Sequence, residues 1–573
     1  MTILKQPLSK LRAKSGSGPR VLIVVASVVT ILLTLVEMFR GALTVGIGWD
    51  VVESLQLYED GLTGSWDPLG THGVLETSIA FTKGNSFQII SHVSNLLRGN
   101  QAATSLDVTP ESLATQNLAL VALSLLGFLT AAWITFIISR LLTASILTVA
   151  ILFSIPVVVG HAFHNPKDIP TAIGYTLVTL GCILQIKTNE NRNSAKLTLS
   201  TTLVPIAVVA LGIWVAAGVR FALWLPLSLT CIGSTLFVSL RTASQPLTFQ
   251  NLMLRPQNML RILTSLIGLV IGLIVVLLSH PHYLPYLDTW ITASITNSAQ
   301  HTFYEGSTLT NGELIGANNM TASYLPVWFL FSIPIGLGMI LLLGFIWILV
   351  FLRRSPVFSA QGFIVLILLG QALVLPASSV LLGSIMYNAQ RQHLYMYPAL
   401  AVIGALGVWW ALTKVETSPS KAWRLWGAWG VAGFVAVSLI YPTIERQKLF
   451  PYEYTYLNEL ATINGVNGQW ETDYWATSFR EALTRVPVGV ALKAIGPQDT
   501  FYTFPHLQGT DVRTNEVAGP GEYWQIQITN GGMKLPENCR DVDSVTRNFR
   551  GEDVVMSWVG ICKKLPGGPS ETQ

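Results

Sequence analysis

The chain has 573 residues, of which 51% are hydrophobic and 12% charged, with a formal net charge of +4. Soluble domains carry about 25% charged residues, so this composition excludes a water-soluble enzyme and indicates an integral membrane protein. No basic face with interleaved aromatics is present, which argues against nucleic acid as a partner.

In chain order, apolar stretches long enough to cross a hydrocarbon core of roughly 30 Å run over 21–39, 116–139, 141–160, 169–186, 198–219, 222–240, 262–279, 325–352, 360–384, 395–413 and 424–441. They are too long for barrel strands, so the expected fold is an α-helical polytopic membrane protein with about eleven transmembrane helices. Lys5, Lys10, Arg12, Lys14 and Arg20 precede the first stretch. Its long apolar core, with no small-residue cleavage site after it, reads as a retained anchor rather than a signal peptide. The turns carrying Arg140, then Lys187, Arg192 and Lys196, then Arg241, Arg255 and Arg261, then Arg353 and Arg354, then Lys414, Lys421 and Arg424 fall on the same side as that basic start. Positive residues at span ends stay in the cytoplasm. The expectation is a multi-pass protein of the cell membrane with a cytoplasmic N-terminus.

On that topology the chain divides into a membrane module, 1–441, and an exported C-terminal domain, 442–573. The alternation in YWQIQI makes the latter a small mixed α/β unit. The first exported loop, 40–115, is long enough to hold two helices along the membrane. Cys182 and Cys231 fall within spans and read as buried apolar residues. Cys539 and Cys562 lie in the exported tail, where a bridge is compatible with the compartment. No CxxC or HExxH spacing occurs. His280, His282 and His301 with Glu305 are scattered loop residues, so no cofactor or metal is expected, with a divalent ion left open.

The exported face gathers the costly groups. Asp50, Glu53, Glu59, Asp60 and Asp67 follow the first span, and HAFHNPKDIP supplies His161, His164, Asn165, Lys167 and Asp168. Arg220 ends AAGVR, while Arg391 and His393 stand in AQRQHLYMYP. Each has a plain structural role to fill. Asn165 or Asp168 ahead of Pro170 suits a helix start; Arg220 suits snorkelling to headgroups; Arg391 and His393 suit an interfacial belt with their tyrosines. Tyr474 and Trp475 read as packing residues on an amphipathic helix, ETDYWATSFREALTRV. Capping does not call for two histidines and a lysine together, however. A carboxylate facing lysine and arginine at headgroup height suits sugar transfer from a polyprenyl phosphate, in which a base takes the acceptor proton and cations hold the departing phosphate.

Asp50 after the first span, HNPKDIP after the third and YNAQRQHLYMYPAL leading into the tenth together resemble the GT-C superfamily of polyprenyl-phosphate-dependent glycosyltransferases, in the branch similar to protein O-mannosyltransferases and aminoarabinose transferases. FPYEYTYLNEL and WETDYWATSFREAL resemble the segment after the last span in bacterial members. The resemblance extends over about 30–500. It implies that Asp50 and Asp168 are catalytic, Asp50 as the base and Asp168 as an organiser of the cavity. It places Lys167 and Arg391 on the donor phosphate, with Arg220 and His393 beside them. Glu53, Asp60, His164, Asn165 and Tyr474 become candidate substrate contacts. Many relatives carry Asp-Glu where this chain has Asp50-Val51, which keeps Glu53, Glu59 and Asp60 in play as the base. The implied reaction is inverting transfer of one sugar to a hydroxyl of a protein, lipid or cell-envelope glycan, without a metal. The competing class is a multispan transporter or lipid-linked-sugar flippase, expected to show repeated halves and charges at mid-bilayer depth.

Overall fold

The computed structural model describes residues 18–51, 54–55, 58, 84–101, 108–190, 199–242, 256–292, 306–487, 490–495, 511–512, 521–529 and 532–563. Each of the eleven apolar stretches is helical. Among the described residues, nine helices have the length and apolar composition to cross a membrane, and two shorter apolar helices, Leu142–Ser154 and Thr201–Ala217, accompany them. In the long first loop Ser86–Leu97 is helical, and so are the described residues between 50 and 58.

The helix Asp168–Glu190 is the hub, with 94% of its most apolar window buried. It crosses Leu199–Ala217 backbone to backbone. A Cβ added at Gly174 would lie 2.5 Å from the amide nitrogen of Ala216, and one at Gly212 would lie 2.6 Å from the carbonyl of Gly174. Small residues at such crossings let membrane helices gain van der Waals contact that lipid cannot supply.

Two of the expected continuous spans are broken by proline, and the structure shows what rescues the freed carbonyls. The stretch 141–160 divides at Pro156 into Leu142–Ser154 and Pro156–His161. The Phe153 carbonyl accepts from the Arg446 guanidinium and from Thr34 Oγ1. The stretch 325–352 divides around Pro334 into Tyr324–Ser332 and Ile335–Arg354. Asn458, from the segment after the last long helix, donates through its side chain to the Leu330 and Ile333 carbonyls at 2.7 and 2.9 Å and through its backbone N–H to Phe331. In lipid each unpaired backbone group costs several kcal/mol, so these caps make the breaks tolerable.

The last long helix runs on through Pro442 to Arg446, past the expected end at 441. Arg446 donates from Nε and NH2 to Glu37 of the first helix at 3.0 and 2.7 Å, and both side chains are buried. Beyond it, aromatic residues of 452–475 pack against Tyr324, Leu325 and Trp328. The hairpin Ser307–Thr310/Glu313–Gly316 joins this layer, with Thr308 Oγ1 donating to Glu471 at 2.7 Å.

The sheet of the tail has five strands in the order Asp511–Val512, Ala491–Ile495, Glu522–Ile528, Glu552–Lys563 and Cys539–Phe549. The first three are parallel and the remaining pairings antiparallel. YWQIQI forms the central strand, and Cys539 and Cys562 form a disulfide across paired positions. One expectation is overturned here. Residues 471–478 of the supposed amphipathic helix are irregular, and only Phe479–Leu483 is helical. Asp473 diverts the chain by accepting from the Thr477 and Ser478 N–H groups at 3.1 and 2.8 Å, and Ala476 sits at φ 61. This local side-chain capping outcompetes helix propensity.

Removing one partner of a buried pair leaves an uncompensated charge. Arg446→Leu is expected to destabilise the protein by about 3–5 kcal/mol, whereas Glu37→Leu/Arg446→Leu recovers most of the loss; thermal unfolding in detergent compares them, and a double variant no better than the single one contradicts the account.

Candidate active site

HNPKDIP is both a helix start and a source of charge. Asn165 Oδ1 accepts from the backbone N–H groups of Lys167 and Asp168 at 3.0 and 2.8 Å, fixing the first turn of the Asp168 helix. That cap presents Lys167 and Asp168 to the same space. Asn165 Nδ2 then donates to Asp168 Oδ2 at 2.8 Å and to His161 Nδ1 at 3.2 Å. Tyr474 O–H donates to the Tyr454 carbonyl, so His161 Nε2–H is the donor to the Tyr474 oxygen at 3.1 Å. A neutral Nε2–H tautomer satisfies every member of this row.

Asp50 arrives through a passage that glycine makes possible. A Cβ on Gly48 would lie 2.1 Å from Trp475 Nε1, and the Trp49 N–H donates to the Trp475 carbonyl at 3.3 Å. TVGIGWD therefore lies directly on the irregular segment around Trp475, and Asp50 opens a helical stretch just beyond. Arg391 comes from the other side, in a short 3-10 turn after Asn388 and Ala389, both at positive φ. Gln371 steadies this segment by donating to the Tyr395 carbonyl at 2.8 Å while bonding Thr176 and Thr179 of the hub helix.

These segments bring the charges together. Lys167 Nζ lies 3.1 Å from Asp50 Oδ1, and Arg391 NH1 lies 3.5 Å from Asp50 Oδ2 and 3.1 Å from Asp168 Oδ2. Arg220 NH2 closes the row on Asp168 Oδ1 at 2.5 Å. Among the described residues of this row, three cations meet two carboxylates, an excess of one positive charge. Asp168 is enclosed, with a side-chain exposure of 1%, while Asp50 keeps 21% and Arg220 29%. Burial alone would lower the Arg391 proton affinity, but Asp168, Tyr387 and Asp50 raise it above its usual value, so it is a fixed cation. Its guanidinium carbon lies 4.3 Å from the centre of the Trp475 ring.

The other sequence candidates fall nearby. His164 is buried against Tyr454, Phe163 and Trp475. Tyr474 is buried beneath Asp168 through His161 and Asn165. His393 bonds Ser379 at 3.1 Å, and burial and then the Arg220 charge lower it to about 4, so it offers a neutral ring near pH 7. Glu53, Glu59, Asp60, Asp67, His301 and Glu305 lie outside the described residues, as does the His282 side chain. Among the described residues, no group of three or more His, Cys, Asp or Glu could hold a metal ion. His280 is structural: its Nδ1–H donates to the Val276 carbonyl and its Nε2 accepts from the Asn85 N–H. Trp475 and His161 stand in quoted motifs, but neither the contact of Trp475 with Arg391 nor that of His161 with Asn165 could be read from residue spacing.

No protein-family model and no curated protein matches the chain. Solved structures do. It is similar to ArnT from Cupriavidus metallidurans bound to undecaprenyl phosphate, at 13% identity and TM-score 0.47 over 96% of this chain and 98% of that one. It is similar to the archaeal oligosaccharyltransferase AglB from Archaeoglobus fulgidus in complex with an inhibitory peptide and a dolichol-phosphate, at 12% identity and TM-score 0.46, over 85% of this chain and 63% of that one. It is also similar to the arabinofuranosyltransferase AftD from Mycobacteria, at 14% identity and TM-score 0.38, over 95% of this chain and 40% of that one. Likenesses at this identity and TM-score do not by themselves assign an activity, so the functional reading rests on the site.

Burial lowers His161 and His164 well below 6.5, and lowers His280 and His393 to about 4. These rings are neutral when folded and take a proton near pH 6.5 when unfolded, so stability is lost as pH falls through 6.5. For His280 and His393 the window ends at about 4. Each ring contributes about 1.4 kcal/mol per unit of pH inside its window. The thermal midpoint in detergent is expected to drop steadily on acidification below pH 6.5, with a shallower slope in His280→Gln; a midpoint insensitive to pH there contradicts the assignment.

Proposed function

We propose that the protein is a membrane glycosyltransferase that moves one sugar from a polyprenyl-phosphate carrier to an acceptor hydroxyl. The observation that carries this reading is the charge row itself: more cations than carboxylates among the described residues, at one end of a membrane bundle, with one carboxylate partly open. Cations that outnumber carboxylates among the described residues suit a lipid phosphate at headgroup height, and a partly open carboxylate beside them suits a base. The distribution of Lys and Arg supports an extracytoplasmic position for this end.

In the proposed reaction the acceptor oxygen attacks C1 of the sugar from the face opposite the phosphate. Its proton passes to an Asp50 carboxylate oxygen, the new C1–O bond forms, and the C1–O bond to phosphate breaks. The electron pair leaves with the polyprenyl phosphate, and the configuration at C1 inverts. Lys167, Arg391 and Arg220 stabilise the charge that grows on the phosphate oxygens. The guanidinium of Arg391 is already desolvated and fixed by Trp475, so little reorganisation is needed when that charge appears. Asp168 holds Arg391 and Arg220 apart and aimed, and Asn165 and His161 hold Asp168. The acceptor is a protein, lipid or cell-envelope glycan hydroxyl.

The full-length protein, given radiolabelled polyprenyl-phosphate sugar and a membrane extract, is expected to transfer the label. Asp50→Asn keeps the shape of the side chain and should reduce transfer about 10²- to 10⁴-fold, the usual range for a lost general base, while still binding sugar-free polyprenyl phosphate. Arg391→Lys and Lys167→Ala should weaken that binding. Full transfer by Asp50→Asn removes Asp50 as the base.

A further inference from the structure

Beside the charge row lies a small notch lined by Ser54, Gly84, Phe87, Gln88, Pro166, Lys167 and Val219, with room for a group about the size of a water molecule; the empty space of about 290 Å³ around it includes open solvent. Gln88 stands in the helix Ser86–Leu97 and is 3% exposed. Neither its Nε2 nor its Oε1 has a hydrogen-bond partner among the described residues. A buried amide without partners is costly, because the hydrogen bonds it made to water are not replaced. The charge row does not use Gln88, and apolar packing at this position would call for leucine or methionine.

The walls around Gln88 are firmly built. The Gly84 and Ser86 N–H groups donate to the Val219 and Gly218 carbonyls at 3.0 Å each, and the Asn85 N–H donates to His280 at 3.0 Å. The start of this helix is thereby locked to the turn that carries Arg220. Ser54 is tied to the Asp50 segment by donating to the Asp50 carbonyl at 2.5 Å. Lys167 is a wall of the notch and also the ion-pair partner of Asp50. Whatever enters the notch therefore sits one side chain away from the proposed reacting centre.

The chemistry of the lining selects the occupant. An amide offers donors and an acceptor together, which matches a hydroxyl, a group that needs one of each. Phe87 and Val219, both almost fully buried, close the notch around it, so the space suits a single hydroxyl rather than a whole ring. We propose that the notch holds a single hydroxyl of the transferred sugar and that Gln88, through Nε2 and Oε1, is a residue that sets which sugar the protein accepts. This rests on the glycosyltransferase reading and adds the subsite that distinguishes one sugar from another. Where a site is built to bond a hydroxyl, a ligand lacking it leaves buried polar groups unmet and is rejected.

The test uses the detergent-solubilised full chain titrated with undecaprenyl phosphate and with its mannosyl, glucosyl, galactosyl and arabinosyl derivatives. Gln88→Met keeps the volume and removes the amide. It should bind undecaprenyl phosphate as the parent does, bind the parent's preferred sugar derivative about 10-fold more weakly, and discriminate less among the four sugars. Gln88→Asn retains an amide one methylene further back and should shift the order of preference; it carries the test if the methionine variant does not fold. Unchanged affinities in the variant that folds would mean that the notch holds only water and would overturn the proposal. Equal weakening toward the bare lipid phosphate and the sugar derivatives would also overturn it, because Gln88 would then act through Lys167 or the fold. If the parent does not bind undecaprenyl phosphate at all, the glycosyltransferase reading fails, and the sugar subsite fails with it.

Discussion

The ion pairs joining Lys167, Asp50, Arg391, Asp168 and Arg220 set the terms for the surrounding architecture. Charges withdrawn from water are tolerated only when their partners are held at bonding distance with their remaining polar atoms met. These five residues come from four separated segments, so each segment has to be fixed with little play. Asn165 fixes the start of the hub helix, glycine lets TVGIGWD lie on the Trp475 segment, and Gln371 ties the Arg391 segment to the hub. His161, Tyr474 and Tyr454 form the floor beneath Asp168. Loosening any of them would leave a buried charge short of a partner.

The same economy governs the breaks in the membrane helices. Proline at 156 and 334 frees carbonyls at depths where water is scarce. Arg446 and Asn458 meet them, and both lie at or beyond the end of the last long helix. The end of that helix and the segment after it are therefore part of the membrane fold as much as of the tail: Arg446 pairs with Glu37, Asn458 caps a broken helix, and the aromatic residues beyond supply the floor of the site. Its irregular course around Asp473 and Ala476 brings Trp475 over Arg391, a position a regular helix would not have provided.

Much of this was legible in the residues. Long apolar runs gave the helices, alternation in YWQIQI gave the central strand, and HNPKDIP stood out because capping alone did not account for its histidines and lysine. Gly48, just before Asp50, meets Trp475, a contact for which only a glycine leaves room. The helix expected over ETDYWATSFREALTRV was misread because its apolar spacing was helical while Asp473 supplied a stronger local alternative. Gln88 and the Glu37–Arg446 pair carried no signal, since a glutamine in a loop helix and a glutamate in an apolar span have no neighbours in sequence that point to their roles.

Hydropathy, the sidedness of lysine and arginine and the residue types at span ends are local properties, written one position at a time, and they determined by themselves that this is a multispan helical protein. Tertiary structure alone decided which acid meets which base, where the proline breaks find their donors, and which buried amide lies beside Lys167. Those outcomes depend on distances between residues up to several hundred positions apart, and such distances exist only after the helices have packed.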